Sequence, residues 1–502
     1  MVEVSLDYGA STKSKDTSNN RIPVQPGPSP EESIQTDTAQ LESYLSCPPP
    51  RFSAMANDRQ AATANTSPKS RTKNEIEKQT EKKTGDAKPT DRKPLSDRES
   101  ALHLAVKNNH IKIVAMMLKA GVDVNCPDKD NWTALQKATS YHLEKSEEMV
   151  KLLLSHGADV HAVNDEGMTA LAVAARKELH TISDILLKAG SEINPSDRKK
   201  VPWSPYLLAA WVGNVKLMQT YINWGANTNA TNHEGWNALH IAARQNHIEV
   251  IRFVIGQKTP LSIHSTINDK RTALHIAARY KNLEIARLLI SSGVDLHHKN
   301  KHGYTALHSA AEDGDEAMIT LLLNSGCDIH AKGHDDWTPL SLAVYGKKAE
   351  NARLLMDKGK ASMEVKNTSG WTPLLIACRW GLDSITQDLV DRGANARAVS
   401  NMKRTPLHLA TWHKHPKVVR ILVALDIDVD AADQDGWTAL HMAARLGEKE
   451  LVRLLLNRGA NPNAKFSPGG ISSSPLQQAA EQGNDEVVEM IMEAQTALGK
   501  WD

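Results

Sequence analysis

One six-residue phrase returns through this chain in register. Thr405-Pro406-Leu407-His408-Leu409-Ala410 reappears as Thr438-Ala439-Leu440-His441-Met442-Ala443, as Thr305-Ala306-Leu307-His308-Ser309-Ala310 and as Thr272-Ala273-Leu274-His275-Ile276-Ala277. Looser copies begin at Ser100, Thr133, Thr169, Ser204, Asn237, Thr338, Thr372 and Ser474. The leucine of the phrase falls at residues 102, 135, 171, 206, 239, 274, 307, 340, 374, 407, 440 and 476, with Tyr206 in the fourth copy, so copies lie 33 to 36 residues apart. A fixed period constrains the fold more than any other feature here. Each unit is one small element that cannot bury both of its faces, and stability has to come from stacking neighbours.

Residues 435–465 show the physics of one unit. Asp435-Gly436 suits a tight hairpin turn. Thr438 is a good N-cap, and in sister units Pro339, Pro373 and Pro406 stand at the following position, where a missing N–H costs nothing. Leu440, Ala443 and Ala444 share one face of a short inner helix that Gly447 ends. Leu451, Val452, Leu454 and Leu455 form the apolar stripe of an outer helix that Gly459 ends.

The period and the phrase T-P-L-H-x-A resemble the ankyrin repeat, over residues 96–495, roughly four-fifths of the chain. The resemblance implies an all-α solenoid of about twelve helix-turn-helix units joined by β-hairpin loops. The dialect is Trp-rich and similar to long fungal ankyrin arrays, with Trp132, Trp203, Trp236, Trp337, Trp371 and Trp437 just before the Thr position. These rings are expected to cover the hairpin base and pack between repeats rather than to form an exposed ladder. His103, His240, His275, His308, His408 and His441 occupy the His of the phrase, and the resemblance gives them a local hydrogen bond at the turn.

Departures from the period predict longer loops at Tyr141–Ser146, around Arg198, Lys199 and Lys200, at Thr259-Pro260 and at Phe466–Ser473. Repeat ten is expected to be a weak point. Lys414 stands where sister repeats have Gly447, Gly381 or Gly314, and Asp426 replaces the Gly that ends the outer helix.

The N-terminal fifth has another character. Between Lys69 and Pro94 the only apolar side chains are Ile76 and Ala87, beside nine Lys/Arg and five Asp/Glu. Residues 16–95 are therefore expected to be a disordered polar, basic linker. Leu41, Tyr44 and Leu45 suit at most a transient helical turn, stopped by Pro48, Pro49 and Pro50. Leu6–Ser11 has the spacing of Leu456–Asn461, so residues 1–15 read as a partial repeat remnant, and residues 496–502 as a tail.

Chemistry-bearing constellations are missing from the sequence. It has no GxxxxGK[ST], GxGxxG, HExxH or GxSxG. Cys47, Cys126, Cys327 and Cys378 form no CxxC pair, and His297, His298, His302 and the pair His413, His415 only loosely resemble metal-ligand spacing. No enzyme, cofactor or metal site is expected. Net charge is near +1, which argues against direct binding to nucleic acid or an anionic membrane. The start of the chain lacks an apolar signal core and no run of 18 apolar residues occurs, so an intracellular protein, cytoplasmic or nuclear, is expected.

The informative pattern is the residue after the alanine pair of each inner helix. Lys107, Arg176, Arg244, Arg279, Arg379 and Arg445 are cationic there, and Trp211, Tyr345 and Trp412 are aromatic. By resemblance to ankyrin proteins this position faces the concave groove. Arg and aromatic side chains are enriched at binding hot spots. The expectation is a monomeric, non-enzymatic scaffold that binds partner proteins there. The alternative is a nuclear coregulator acting through a transcription factor, with Lys82-Lys83 and Arg92-Lys93 as an import signal.

Overall fold

A computed structural model describes residues 101–499, apart from 129, 142–144, 197–200, 258–260 and 467–472. The readings for residues 1–100 and 500–502, and for most of the four lengthened loops, lie outside the described residues. Among the described residues the chain forms 24 α-helices in twelve pairs, from Ala101–Lys107 to Asp485–Ala497. Each inner helix packs on its own outer helix and on the inner helices of adjacent repeats. The β pairing among the described residues is confined to two isolated bridges, Thr266–Thr272 and Phe466–Ser473. The hairpin loops are turns rather than strands.

Repeat six shows how sequence sets the unit. Thr272 is extended and caps the inner helix Ala273–Arg279. Ala277 and Ala278 are fully buried, which lets helices approach closely. The outer helix Leu283–Ser291 buries Ile285, Ala286 and Leu289. Gly293 then turns left-handed at φ 86°, and the Val294 N–H closes on the Leu289 carbonyl at 3.2 Å.

Two sets of side chains staple successive repeats. His275 Nε2 donates to the Tyr304 carbonyl of the next repeat at 3.0 Å, so its Nδ1 is the acceptor. That atom takes the Thr272 N–H at 3.3 Å and the Thr272 hydroxyl at 2.9 Å. His308 to Trp337, His408 to Trp437 and His441 to Ala464 repeat the arrangement. The family histidine is thus more than a local turn bond: one ring caps its own helix and holds the next hairpin. The second set reaches backwards. His247 donates to Trp211 O at 2.9 Å, Asn282 to Ala243 O at 2.6 Å and His415 to Arg379 O at 3.0 Å. These are carbonyls at inner-helix ends, which have no partner within their own helix.

Fingertips join as well. Asn268 N–H donates to Glu234 O, Lys301 to Asp269, His334 to His302, Thr368 to Asp335, Asn401 to Ser369 and Gln434 to Met402, all within 3.1 Å. This backbone ladder runs without a break from repeat five to repeat eleven.

Repeat ten corrects the sequence reading in one respect. Lys414 is left-handed at φ 59°, yet so are Asn109, Glu178, Asn246, Lys281 and Lys347 at the same register, so it is no local oddity. Asp426 avoids the left-handed region, and the outer helix Pro416–Val423 stops early. Arg397 of the preceding repeat donates to the Asp426 carbonyl at 2.9 Å and to its carboxylate at 2.6 Å. Arg458 of the following repeat donates to the Leu425 carbonyl at 3.0 Å. The carbonyls left by the missing glycine turn are taken by both neighbours.

Candidate functional site

The residue after the alanine pair is the last or next-to-last residue of each inner helix. A helical side chain leans toward the helix N-terminus, so a long arginine there lies back along its own helix. In repeats five, nine and eleven a tryptophan sits eight residues earlier, at the hairpin base, and the two meet. The guanidinium carbon of Arg244 is 5.7 Å from the Trp236 ring centre, that of Arg379 is 5.2 Å from Trp371, and that of Arg445 is 5.5 Å from Trp437. The tryptophans themselves are buried (Trp203, Trp236, Trp337) or half-buried (Trp132, Trp371, Trp437).

Two aromatic clusters result. In the first, Arg244 also lies 5.8 Å from Trp211 and 5.4 Å from Tyr280, so three consecutive repeats surround one guanidinium. Trp211 in turn meets Trp203 edge-on at 5.6 Å. In the second, Tyr345 packs edge-on against Trp337 at 5.6 Å and Trp380 at 5.8 Å. Lys347 and Arg379 both lie over the Trp380 ring, at 5.3 and 5.4 Å. A cation over an aromatic face gains about 0.5–2 kcal/mol, more where water is excluded.

The stretch between the clusters is acidic. Arg279 pairs with Asp313 at 3.0 Å. Glu312, at the register of the arginines, is half-buried, and its carboxyl is pushed up to about 7 by burial and then by Asp313. Arg176 pairs with Glu166 at 3.0 Å, Lys107 is exposed, and Trp412 is half-buried.

Tyr280, Lys347 and Trp380 were not anticipated. They stand just past the inner helix, beyond the single register that the alanine pair marks. Tyr280 and Trp380 lie one residue beyond it and Lys347 two. Among the described residues no group of three or more His, Cys, Asp or Glu is arranged to hold a metal ion. Cys327 and Cys378 are buried; desolvation pushes the Cys327 thiol up to about 12 and that of Cys378 in the same direction. No helix among the described residues is long and apolar enough to cross a membrane.

A sequence model described as ankyrin repeats (3 copies) matches in overlapping placements that cover residues 78–197 and 206–499. The chain belongs to the ankyrin-repeat family. Similar curated proteins include human B-cell lymphoma 3 protein, 34% identical over 134 residues, which are 26% of this chain and 29% of that protein. Mouse Rabankyrin-5 is 31% identical over 392 residues, 75% of this chain and 30% of its own length. Human transient receptor potential cation channel subfamily A member 1 is 27% identical over 410 residues, 72% of this chain and 36% of its own. The matched region thus spans about a third of these relatives. The solved ankyrin repeat domain of human ASB11 is 23% identical, with a TM-score of 0.41, covering 45% of this chain and 98% of that one. Ankyrin arrays are typically non-catalytic modules for protein–protein interaction, and this chain carries one.

Proposed function

We propose that the chain is a non-enzymatic scaffold whose inner-helix face, the concave side of an ankyrin array, binds one or more partner proteins. The observation that carries the reading is Arg244, held by three rings from three repeats. Such an arginine is ordered before a ligand arrives, so little rotamer entropy is lost on binding. Its fork suits a carboxylate, and the rings beside it suit an apolar anchor. Arg379 and its rings supply the same chemistry further along. Glu312 and Asp313 in between favour a basic residue. A fitting partner segment is extended, with acidic and apolar residues at both ends and a Lys or Arg between. Lys107, Arg176, Trp211, Arg279, Tyr345, Trp412 and Arg445 complete the proposed face.

The test uses the full chain with Arg244→Ala and Arg379→Ala together. Captured partner should bind weaker by roughly 2–4 kcal/mol, if both are hot spots. The melting transition should fall only by the lost stacking, about 1 kcal/mol per arginine. Undiminished binding with a lowered melting temperature would assign the arginines to structure alone.

A second reading, a nuclear coregulator acting through a bound transcription factor, draws support from the basic stretch Lys69–Lys93. Replacing Lys82, Lys83, Arg92 and Lys93 by Ala should then abolish nuclear accumulation of the tagged chain. Unchanged distribution removes the reading.

A further inference from the structure

The first and last described repeats are bare on opposite sides. In repeat one Leu104 is 42% exposed, whereas Ile241, Ile276 and Met442 at its register are at most 2% exposed. Ile113 is 48% exposed, whereas Val250, Ile285 and Met318 at its register are 0% exposed. Met116 beside it is 70% exposed. In the last repeat Ala480 is exposed and Val488 half-buried, whereas Ala444 and Val452 at those registers are 0% exposed. Met492 there is 38% exposed. The registers bare at one end are buried at the other: repeat one buries Val106 and Val114, and the last repeat buries Gln478 and Val487. Each end lacks only its outer neighbour. The ends also differ in charge. Residues 101–122 hold three Lys and no Asp or Glu, and residues 466–499 hold five Asp/Glu and no Lys or Arg.

We propose that the first repeat of one copy stacks on the last repeat of a second copy, end to end, so that the contacts between repeats continue across the junction. The registers supply the pairs. Inside the array Arg420 of repeat ten pairs with Glu450 of repeat eleven at 2.5 Å. Glu489 of the last repeat and Lys112 of the first stand at those two registers, with the signs exchanged. Trp211 and Arg244 meet from adjacent repeats at 5.8 Å, and Glu481 and Lys107 hold that register at the two ends. His247 and His415 donate to the carbonyls of Trp211 and Arg379 in the repeat before, at 2.9 and 3.0 Å. His110 has the same register in repeat one and is exposed, and the matching carbonyl at the other end is that of Glu481.

Such a junction is heterologous, so each joined pair keeps one free end of each kind and further copies can add. A two-fold pairing of like ends would set Lys112 and Lys119 against themselves, or Glu489 and Glu493 against themselves. Burying the apolar residues of both ends supplies the non-directional attraction, and the opposite charges set which end meets which. The monomer expected from the sequence then holds only at low concentration. The junction uses the ends of the stack and leaves the inner-helix face around Arg244 open, so it stands or falls separately from partner binding there.

Sedimentation velocity of the full chain at rising concentration tests the junction. The parent should grow past the dimer, and less so at high salt. Lys112→Glu with Lys119→Glu, and separately Glu489→Lys with Glu493→Lys, should each weaken association at least about tenfold, since like charges then face each other. All four side chains are exposed, so both variants should melt with the parent. Mixing the two variants should restore association, because every mixed junction again sets opposite charges together. A parent that stays monomeric up to its solubility limit overturns the proposal and leaves the bare end of repeat one to another protein or to residues before 101. Growth that stops at a dimer, or that survives the charge reversals, also overturns it and moves the contact to another surface.

Discussion

Repeats six and ten are near copies that finish differently. Each has an arginine where most sisters have tryptophan. Arg271 pairs with Asp269 at 2.6 Å, and Arg404 with Asp433 of the next hairpin at 3.5 Å. Each has a Thr–His staple and a left-handed lysine, Lys281 and Lys414. At the outer helix they part. Repeat six closes on itself through Gly293 and the Val294-to-Leu289 bond. In repeat ten the matching amide, Ile427, donates to Leu425 instead, and Arg397 and Arg458 hold the loose end. A defect in local chemistry has become a tie between repeats nine, ten and eleven. In a solenoid that difference matters, because stability is a sum of unit terms and interface terms.

The largest expected effect falls on what the two repeats share. Burial pushes His275 down to about 4 and lowers His408 likewise, against an ordinary value of 6.5. Protonating Nδ1 would also turn the acceptor of the threonine bonds into a donor. The unfolded chain therefore takes up these protons first, and stability is complete above pH 6.5 and lost as pH falls toward 4. From pH 7 to pH 5 the loss is about 2 kcal/mol for a histidine such as His275. His240, His308 and His441 are shifted to the same degree. Glu312 acts oppositely. Its folded carboxyl titrates at about 7, so it gains stability on acidification and offsets about one histidine. Urea unfolding followed by far-UV dichroism should show a marked drop between pH 7 and pH 5. Equal midpoints at both would contradict neutral, buried staples.

Exchanging the helix ends should come next in size. Gly293→Ala puts a side chain on left-handed backbone, and costs about 1 kcal/mol of strain although no atom lies within 4 Å of the added carbon. Asp426→Gly should do the reverse and gain a few tenths of a kcal/mol by permitting the glycine turn. Thermal melts of the two single variants suffice, and the same sign for both would break the comparison.

The smallest effect separates the repeats most cleanly. Arg397 and Asp426 are exposed at 63% and 96%, so their charge pairing contributes little. Arg397→Ala should lower stability by no more than about 0.5–1 kcal/mol, through the lost carbonyl bond. Amide exchange should rise in Pro416–Val423 and stay unchanged in Leu283–Ser291. In an Asp426→Gly background the arginine should cease to matter. An undiminished effect there would mean that Arg397 does something other than cap the helix.

The residues anticipated for the groove show where sequence reading stops. Arg244 and Trp236 are legible as a pair, because their eight-residue spacing recurs at Trp371–Arg379 and Trp437–Arg445. Nothing in the sequence places Trp211 and Tyr280 on the same guanidinium. They lie 33 residues before and 36 after it, and meet it only because repeats four, five and six stack. The acidic centre was hidden for the same reason. Glu312 breaks the cationic register visibly, but its raised carboxyl comes from burial between neighbouring inner helices.

Within one period, then, sequence by itself determined this protein. Thr and Pro start helices, paired alanines allow close packing, glycines end helices, and the phrase returns often enough to define an ankyrin array. These are short-range effects, settled by dihedral preference and by hydrogen bonds a few residues apart. The tertiary structure alone decided what passes between periods. It sent His275 to Tyr304, Asn282 to Ala243 and Arg397 to Asp426, and it gathered rings around Arg244. Such contacts join residues about 30 to 40 apart, and they exist only once stacking has fixed the distance and angle between one repeat and the next.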